Sequence, residues 1–348
     1  MSTNTKAFIG IDAGTTGCTV MIFDEKGNAL GHGYKEYPSE SPYAGWGEQS
    51  LEKVWDGICV ASKQATSQAN LPDDAYVSVG FSSQRGTLCL LDKDKKPLQD
   101  SILWYCTRAR DYPEIFGQHI TPEEYQEHTG MQLSPLWVAA KIAWLRDNKP
   151  DTFEKTAWFA NGQEYFLYLL GADRWETDPA SLTLNGMMDI RKLDWSDRVL
   201  EMCGISRDRV PPVGPPSGMV GKVSKQASEA TGIPEGVILC RGAGDQQCAA
   251  IGAGVIRQGM AEFTVGTAGV MVAHLDSVDR IKGKNLWWGG HGVPNAWDIE
   301  GGAFCLGASL KWWRDNLGLD EVQEAESRNT SPYLSLIHIS EPTRHKTI

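Results

Sequence analysis

The sequence predicts an α/β protein built of two related domains, and three observations carry that expectation. A short apolar strand, residues 7–12, runs into a turn of Gly and Thr, Asp12-Ala13-Gly14-Thr15-Thr16-Gly17, and a second strand follows. The same order of strand, Gly/Thr turn and strand recurs around Gly266. Between the two, segments with apolar residues at helical spacing alternate with short β-rich runs.

The elements follow in order. Residues 18–23 form the second strand, Glu25-Lys26-Gly27-Asn28 a turn, and residues 29–37 a third strand that completes a meander. Residues 51–69 carry Leu51, Val54, Trp55, Ile58 and Ala61 at helical spacing. Residues 76–81 and 87–91 read as strands, the latter closed by a charged turn at 92–96. Residues 122–128, 137–146 and 162–170 read as helices, and the Pro-rich stretch 211–216 as a loop. A buried strand at 237–240 leads into Gly242-Ala243-Gly244-Asp245, followed by a helix of small residues at 246–252. A second β-rich unit starts near 262–273, and residues 306–317 form a helix with paired Trp312 and Trp313.

Length and composition set limits. The 348 residues suffice for two medium domains with their own cores. At 41% hydrophobic and 22% charged, the chain is ordinary for a soluble globular protein. No apolar run reaches the roughly 20 residues of a membrane helix, and the polar start has no signal-peptide core, so the expected location is the cytoplasm. A net charge of −11 disfavours nucleic acid as a partner. It leaves room for an anionic nucleotide, because backbone N–H groups and Mg²⁺ supply positive potential locally. The eight cysteines stand singly with no CxxC pair, as in a reduced protein without a zinc site. Thirteen tryptophans suit either core packing or sugar-stacking faces.

Four motifs carry chemistry. In Asp12-Ala13-Gly14-Thr15-Thr16, Gly14 permits close backbone approach, Thr15 and Thr16 offer hydroxyl and N–H donors to phosphate, and Asp12 can hold Mg²⁺. A plain hairpin turn is the bland alternative. In Gly242-Ala243-Gly244-Asp245-Gln246-Gln247, Asp245 is either an N-cap or, beside a phosphate loop, a general base for a hydroxyl attacking a γ-phosphate. Thr264-Val265-Gly266-Thr267-Ala268-Gly269 repeats the first loop, with Gly266 and Thr267 as phosphate contacts or as a simple turn. Gln84 and Arg85 at a strand end, with Trp104 and Arg108, have the donors and ring face that bind a polyol, though each alone also suits surface or core.

Taken in order, these segments resemble the FGGY carbohydrate kinases over residues 6–320. The pieces are Gly10-Ile11-Asp12-Ala13-Gly14-Thr15-Thr16, Gly45-Trp46-Gly47-Glu48-Gln49, Trp104 with Arg108, Thr129-Gly130 with Lys141, Thr177-Asp178-Pro179-Ala180-Ser181, Gly244-Asp245-Gln246-Gln247, Gly266-Thr267, and Gly301-Gly302-Ala303 with Gly307-Ala308-Ser309 and Trp312. The resemblance implies an α/β fold of two ribonuclease-H-like (actin-like ATPase) domains flanking a cleft, with the second domain incomplete. Residues 1–243 correspond to the sugar-binding domain, 244–333 to the start of the ATP-binding domain, and 334–348 to a tail outside the family. It implies ATP-dependent phosphorylation of a sugar, ketose or polyol hydroxyl, with ATP and Mg²⁺ as cofactors and a possible homodimer. By carry-over, Asp245 is the base and Asp12 the Mg²⁺-associated carboxylate. Gly14, Thr15, Thr16, Gly266 and Thr267 contact phosphate, and Gln84, Arg85, Trp104, Arg108 and Gln246 form the sugar pocket.

The chain departs from the family in places. Cys106 stands where Trp-x-Asp-x-Arg has its carboxylate, Gly86 where the glycerol-kinase pattern has Glu, and Leu136 where a pocket tyrosine is expected. The Gln-Met-His-Gly of xylulokinases is absent as well. A hydroxyl-poor wall with extra room at Gly86 points away from glycerol. Residues 334–344 continue no family pattern and read as translated adapter sequence, with a divergent tail as the bland alternative, and the fragment itself is expected to lack useful kinase activity. Two other readings stay open: a non-catalytic sugar-binding protein of the same fold, and an actin- or Hsp70-like ATPase acting on proteins.

Overall fold

A computed structural model of the chain describes residues 5–265, 269–280, 283, 285–303 and 306–332. Gly266 and Thr267, and the tail at 334–348, lie outside the described residues. By compactness the chain divides into Met1–Glu262 with Val272–Glu300, and Phe263–Met271 with Gly301–Ile348.

The first unit is organised by a six-stranded sheet. Its strands are β1 (Ala7–Ala13), β2 (Gly17–Asp24), β3 (Ala29–Glu36), β4 (Tyr76–Ser83), β5 (Met219–Lys222) and β6 (Ile238–Gly244). Their spatial order is β5-β6-β4-β1-β2-β3. The β1–β2–β3 meander is antiparallel, whereas β4 runs parallel to β1 and β6 parallel to β4. This mixed order is the ribonuclease-H-like arrangement. It brings the carboxyl ends of three parallel strands side by side.

Along β1, Ala7, Ile9, Ile11 and Ala13 are buried while Phe8, Gly10 and Asp12 are exposed, the period of two expected of a strand with one covered face. Helix α1 (Leu51–Ala69) covers the buried face. Ser50 caps its start by accepting from the Lys53 amide, and Asn70 ends it in the left-handed region at φ 45°. Two glycines on β3 let α1 settle directly on the sheet. A Cβ at Gly31 would stand 2.2 Å from the Ala65 carbonyl oxygen, and one at Gly33 1.9 Å from that of Ala61. Because backbone cannot yield as a side-chain tip can, Gly33→Ala is expected to lower stability by about 1–3 kcal/mol or more, read as a lower denaturation midpoint. An unchanged midpoint would contradict this packing.

A second apolar cluster contains Leu88, Leu90, Ile102, Cys106, Tyr125, Ile142 and Leu145. It is built partly by α2 (Pro122–Thr129) and α3 (Val138–Asn148), and it carries the Trp104–Arg108 segment. Helix α4 (Gly162–Leu170) packs into the first cluster. The short helix α5 (Pro179–Leu182) starts at Asp178, whose carboxylate accepts from the Ala180 amide at 2.9 Å, the Ser181 amide at 3.1 Å and the Ser181 hydroxyl at 2.7 Å. Helix α6 (Asp245–Gly252) leaves the end of β6 directly.

A second, four-stranded sheet holds β7 (Ala261–Val265), β8 (Gly269–Leu275), β9 (Trp287–Gly290) and β10 (Trp297–Ala303), in the order β7-β8-β10-β9. The β9 strand is seated against α2 and α5. The Trp288 amide donates to the Gly130 carbonyl at 2.8 Å, and the Gly290 amide to the Thr183 hydroxyl at 3.2 Å. In the second unit, α7 (Gly307–Asn316) and α8 (Leu319–Ser327) follow one another, with Gly318 tight against the Trp313 ring. Among the described residues no helix is long and apolar enough to cross a membrane.

The predicted helices 51–69 and 162–170 match in full. The predicted strand 87–91 is shorter, Cys89–Leu91, and Trp137 is the cap of its helix rather than its first residue. The N-cap of this helix is Gly244, so Asp245 is its first helical residue rather than its cap. The expected room at Gly86 is absent. Its φ is +66°, and an added Cβ would meet Leu184 at 3.2 Å and Trp104 at 3.3 Å.

Candidate active site

The carboxyl ends of β1, β4 and β6 converge, and in sheets with parallel strands ligands bind beyond such ends. In register, Asp12 of β1 lies opposite Ser82 of β4, and Ser83 of β4 lies opposite Gly244 of β6. Asp12 and Asp245 therefore stand on either side of β4, about two strand spacings or roughly 10 Å apart in backbone. Ser82 fills the gap, its hydroxyl donating to Asp12 Oδ1 at 2.7 Å.

The loop after β1 is tied to the loops after β4 and around residue 104 by side-chain hydrogen bonds. The Trp104 indole N–H donates to Thr15 Oγ1 at 3.0 Å, and Thr15 Oγ1 donates to Gln84 Oε1 at 2.9 Å. Gln84 Nε2 donates to Gln49 Oε1 at 2.9 Å, and Gln49 Nε2 returns to the Thr15 carbonyl at 2.8 Å. The Gly14 amide closes the turn on the Gly17 carbonyl at 3.0 Å, and the Tyr37 hydroxyl holds the Gly14 carbonyl at 2.7 Å. Thr16 is exposed at the tip. The candidate phosphate loop and the candidate sugar residues Gln84 and Trp104 thus belong to one hydrogen-bonded network.

Lys141 anchors the same segment from below. It is fully buried, and Nζ donates to the carbonyls of Gly86, Leu103 and Trp104 at 3.2, 2.8 and 3.1 Å. Burial pulls its ammonium down to about 7, while three carbonyl acceptors match the three N–H bonds that only the charged form has.

Arg85 and Asp245 form the other half. Arg85 is buried, and its two terminal nitrogens take both oxygens of Glu300 at 2.5 and 2.8 Å. Its Nε lies 3.5 Å from Asp245 Oδ1. The Asp245 side chain is 36% exposed, so it can reach a ligand. Withdrawal from water pushes its carboxyl up, Asp12 and Glu300 add to the push, and Arg85 opposes it. The Gln246 amide donates to Asp245 Oδ1 at 2.9 Å, while Gln246 Oε1 is shielded without a hydrogen-bond partner. Gly244 makes the arrangement possible, because a Cβ there would stand 2.1 Å from Arg85 Cδ. Gly244→Ala is expected to push Arg85 off its line, at about 1–3 kcal/mol of stability, checked by chemical denaturation.

The structure brings together Asp12, Gly14, Thr15, Thr16, Gln84, Arg85, Trp104, Asp245 and Gln246. Arg108 is set apart. Its Nη2 donates to Glu48 at 2.6 Å and its Nε to Cys106 Sγ at 3.1 Å, and its guanidinium lies 4.0 Å over the Trp46 ring. Glu48 thus supplies the carboxylate that the sequence lacks at Cys106, and Arg108 clamps the Gly45–Gln49 stretch to the Trp104 loop. The phosphate contacts expected at Gly266 and Thr267 lie outside the described residues.

Ser82, Asp298 and Glu300 escaped sequence reasoning, and Gln49 and Gln247 were seen within motifs but given no role. Asp298 and Glu300 alternate within an apolar strand, which puts both on one face. Both are fully buried, and the Gln247 amide donates to each at 2.7 Å. Burial and the neighbouring Glu300 push the Asp298 carboxyl well up. Two acids spaced by one residue in a β-rich segment were the available signal.

The FGGY family of carbohydrate kinases, N-terminal domain, matches residues 7–252. A glycerol kinase of Thermococcus kodakarensis is 31% identical over 323 residues, covering 90% of this chain and 63% of that protein. A glycerol kinase of Thermococcus onnurineus is 30% identical over 316 residues, covering 89% and 62%. The chain thus spans less than two thirds of the length of these relatives. The crystal structure of xylulose kinase from Rhodospirillum rubrum superposes with a TM-score of 0.85 at 22% identity, covering 93% of this chain and 66% of that one. Plasmodium falciparum glycerol kinase with ADP gives 0.82 at 22% identity over 93% and 66%. At such identities the structures establish the fold, that of the actin-like sugar kinases.

Proposed function

The chain belongs to the FGGY family of carbohydrate kinases, and from that premise we propose that it carries the acceptor end of an ATP-dependent kinase acting on a hydroxyl of a sugar, ketose or polyol. The observation that supports this most is the placing of Asp12 and Asp245 at the carboxyl ends of the two strands that flank β4, with Ser82 of β4 between them.

In this reading Asp245 accepts the proton of the attacking hydroxyl, which needs a carboxylate that is ionised yet partly shielded. Trp104, Gln84 and Gln246 wall the acceptor. Gly14, Thr15 and Thr16 face the phosphates of ATP, and the same role is proposed for Gly266 and Thr267. Arg108 shapes the pocket by holding its wall.

The residues fit Mg²⁺. Among the described residues no group of three or more His, Cys, Asp or Glu could hold a metal, but Mg²⁺ bound with a nucleotide needs only one or two carboxylates besides phosphate oxygens and water. Asp12 is exposed, and one of its oxygens is held by Ser82. When bound there, Mg²⁺ would offset phosphate charge. The net charge of −11 favours small polar ligands over nucleic acid, and a cytoplasmic setting belongs to the same proposal.

The test is a screen of pentuloses, hexuloses and polyols against the full-length gene product, reading binding by calorimetry and acceptor-dependent ADP release. Binding of one acceptor class with phosphate transfer supports the proposal. Binding without transfer favours a sugar-binding protein of this fold. ATP hydrolysis indifferent to every acceptor would overturn the acceptor assignment.

A further inference from the structure

We infer that Glu300 is a positioning residue for Asp245, acting through Arg85. This rests on the kinase reading only in calling Asp245 the base.

The geometry is a relay of fixed side chains. The Gln247 amide holds Glu300 Oε1 and Asp298 Oδ2, each at 2.7 Å. Glu300, fully buried, takes both terminal nitrogens of Arg85 at 2.5 and 2.8 Å. A two-point fork fixes the plane of the guanidinium, which a single contact would not. Once that plane is set, the direction of Nε is set too. Arg85 Nε makes no hydrogen bond and stands 3.5 Å from Asp245 Oδ1. The aliphatic stem passes beneath Gly244, where any Cβ would collide with it.

Both anchors of Asp245 meet the same oxygen, since the Gln246 amide also donates to Oδ1 at 2.9 Å. Oδ2 is thereby left for a substrate hydroxyl. With Glu300 in place, Arg85 cannot swing its fork onto Asp245 and cover both oxygens. Glu300 therefore keeps the cation near the base while keeping the base open. This also accounts for an acid on β10 far along the chain from the two loops it serves.

The test reads the Arg85 Nε–H resonance in ¹H–¹⁵N spectra of the full chain, assigned by its loss in Arg85→Lys. Asp245→Asn is expected to shift it. Glu300→Asp keeps the charge but retracts the carboxylate by one methylene, and is expected to move the signal or merge it with exchanging arginines. If Glu300→Asp does not fold, Gln247→Leu removes the amide holding Glu300 and is read in the same way. In turnover, Glu300→Asp is expected to lower kcat about 10- to 100-fold with acceptor KM changed less than about two-fold. A signal unmoved by Asp245→Asn and by the folded Glu300 or Gln247 variant overturns the relay. Because the resonance needs no turnover, the shifts test the relay in this chain, and a full-length gene product that shows them but phosphorylates no acceptor would remove the kinase reading and leave the relay standing.

Discussion

In the full-length gene product, Asp245→Asn is expected to reduce acceptor-dependent phosphoryl transfer by about 10²- to 10⁴-fold while leaving acceptor binding within about two-fold. Asn is nearly isosteric, and its amide oxygen can still accept from the Gln246 amide, so the loop and the start of α6 keep their shape. What is lost is the ability to accept a proton. Steady-state ADP release together with acceptor binding by calorimetry separates the two effects. Turnover close to that of the parent would sink the assignment of Asp245 as base. The same residue sets a pH dependence. Burial, with Asp12 and Glu300 nearby, raises its pKa above the usual 3.8. The base works only when ionised, so kcat/KM should fall as the pH drops through a midpoint above the ordinary aspartate range.

Glu300→Ala is expected to cost about 3–5 kcal/mol of stability. The Arg85 guanidinium is buried, and burial works against its charge, which Glu300 more than restores. Removing the carboxylate breaks the fork and leaves the buried cation with only Asp245, 3.5 Å from its Nε, close at hand. The paired replacement Arg85→Met with Glu300→Leu removes both charges and keeps apolar volume, so it should recover much of the loss. Urea denaturation of the two single variants and the pair measures the coupling. A strictly additive result would show that the fork does not bind the two residues together.

Much of the fold was legible. The meander and α1 followed from alternation and helical spacing, because each has one face on a core and one towards water, whereas α4 is buried nearly all round with Tyr168 its one exposed residue. The candidate site was legible in its loops: Asp12, Thr15, Gln84, Trp104 and Asp245 stand where a turn ends a strand, and turn chemistry is local. The partners of those residues were not. Arg108 reads as a sugar contact until Glu48 and Trp46 are seen closing on it. Gly86 reads as open space until Leu184 and Trp104 are seen beside it.

Which residues could do chemistry, and that they sit near strand ends, follows from composition, period and turn residues, which act over a few positions. Which of those groups are already engaged follows only from the folded chain. Arg85 meets Glu300 across 215 positions of chain. A buried charge takes whatever counter-charge the folded backbone brings within hydrogen-bond reach, and no local pattern records that choice.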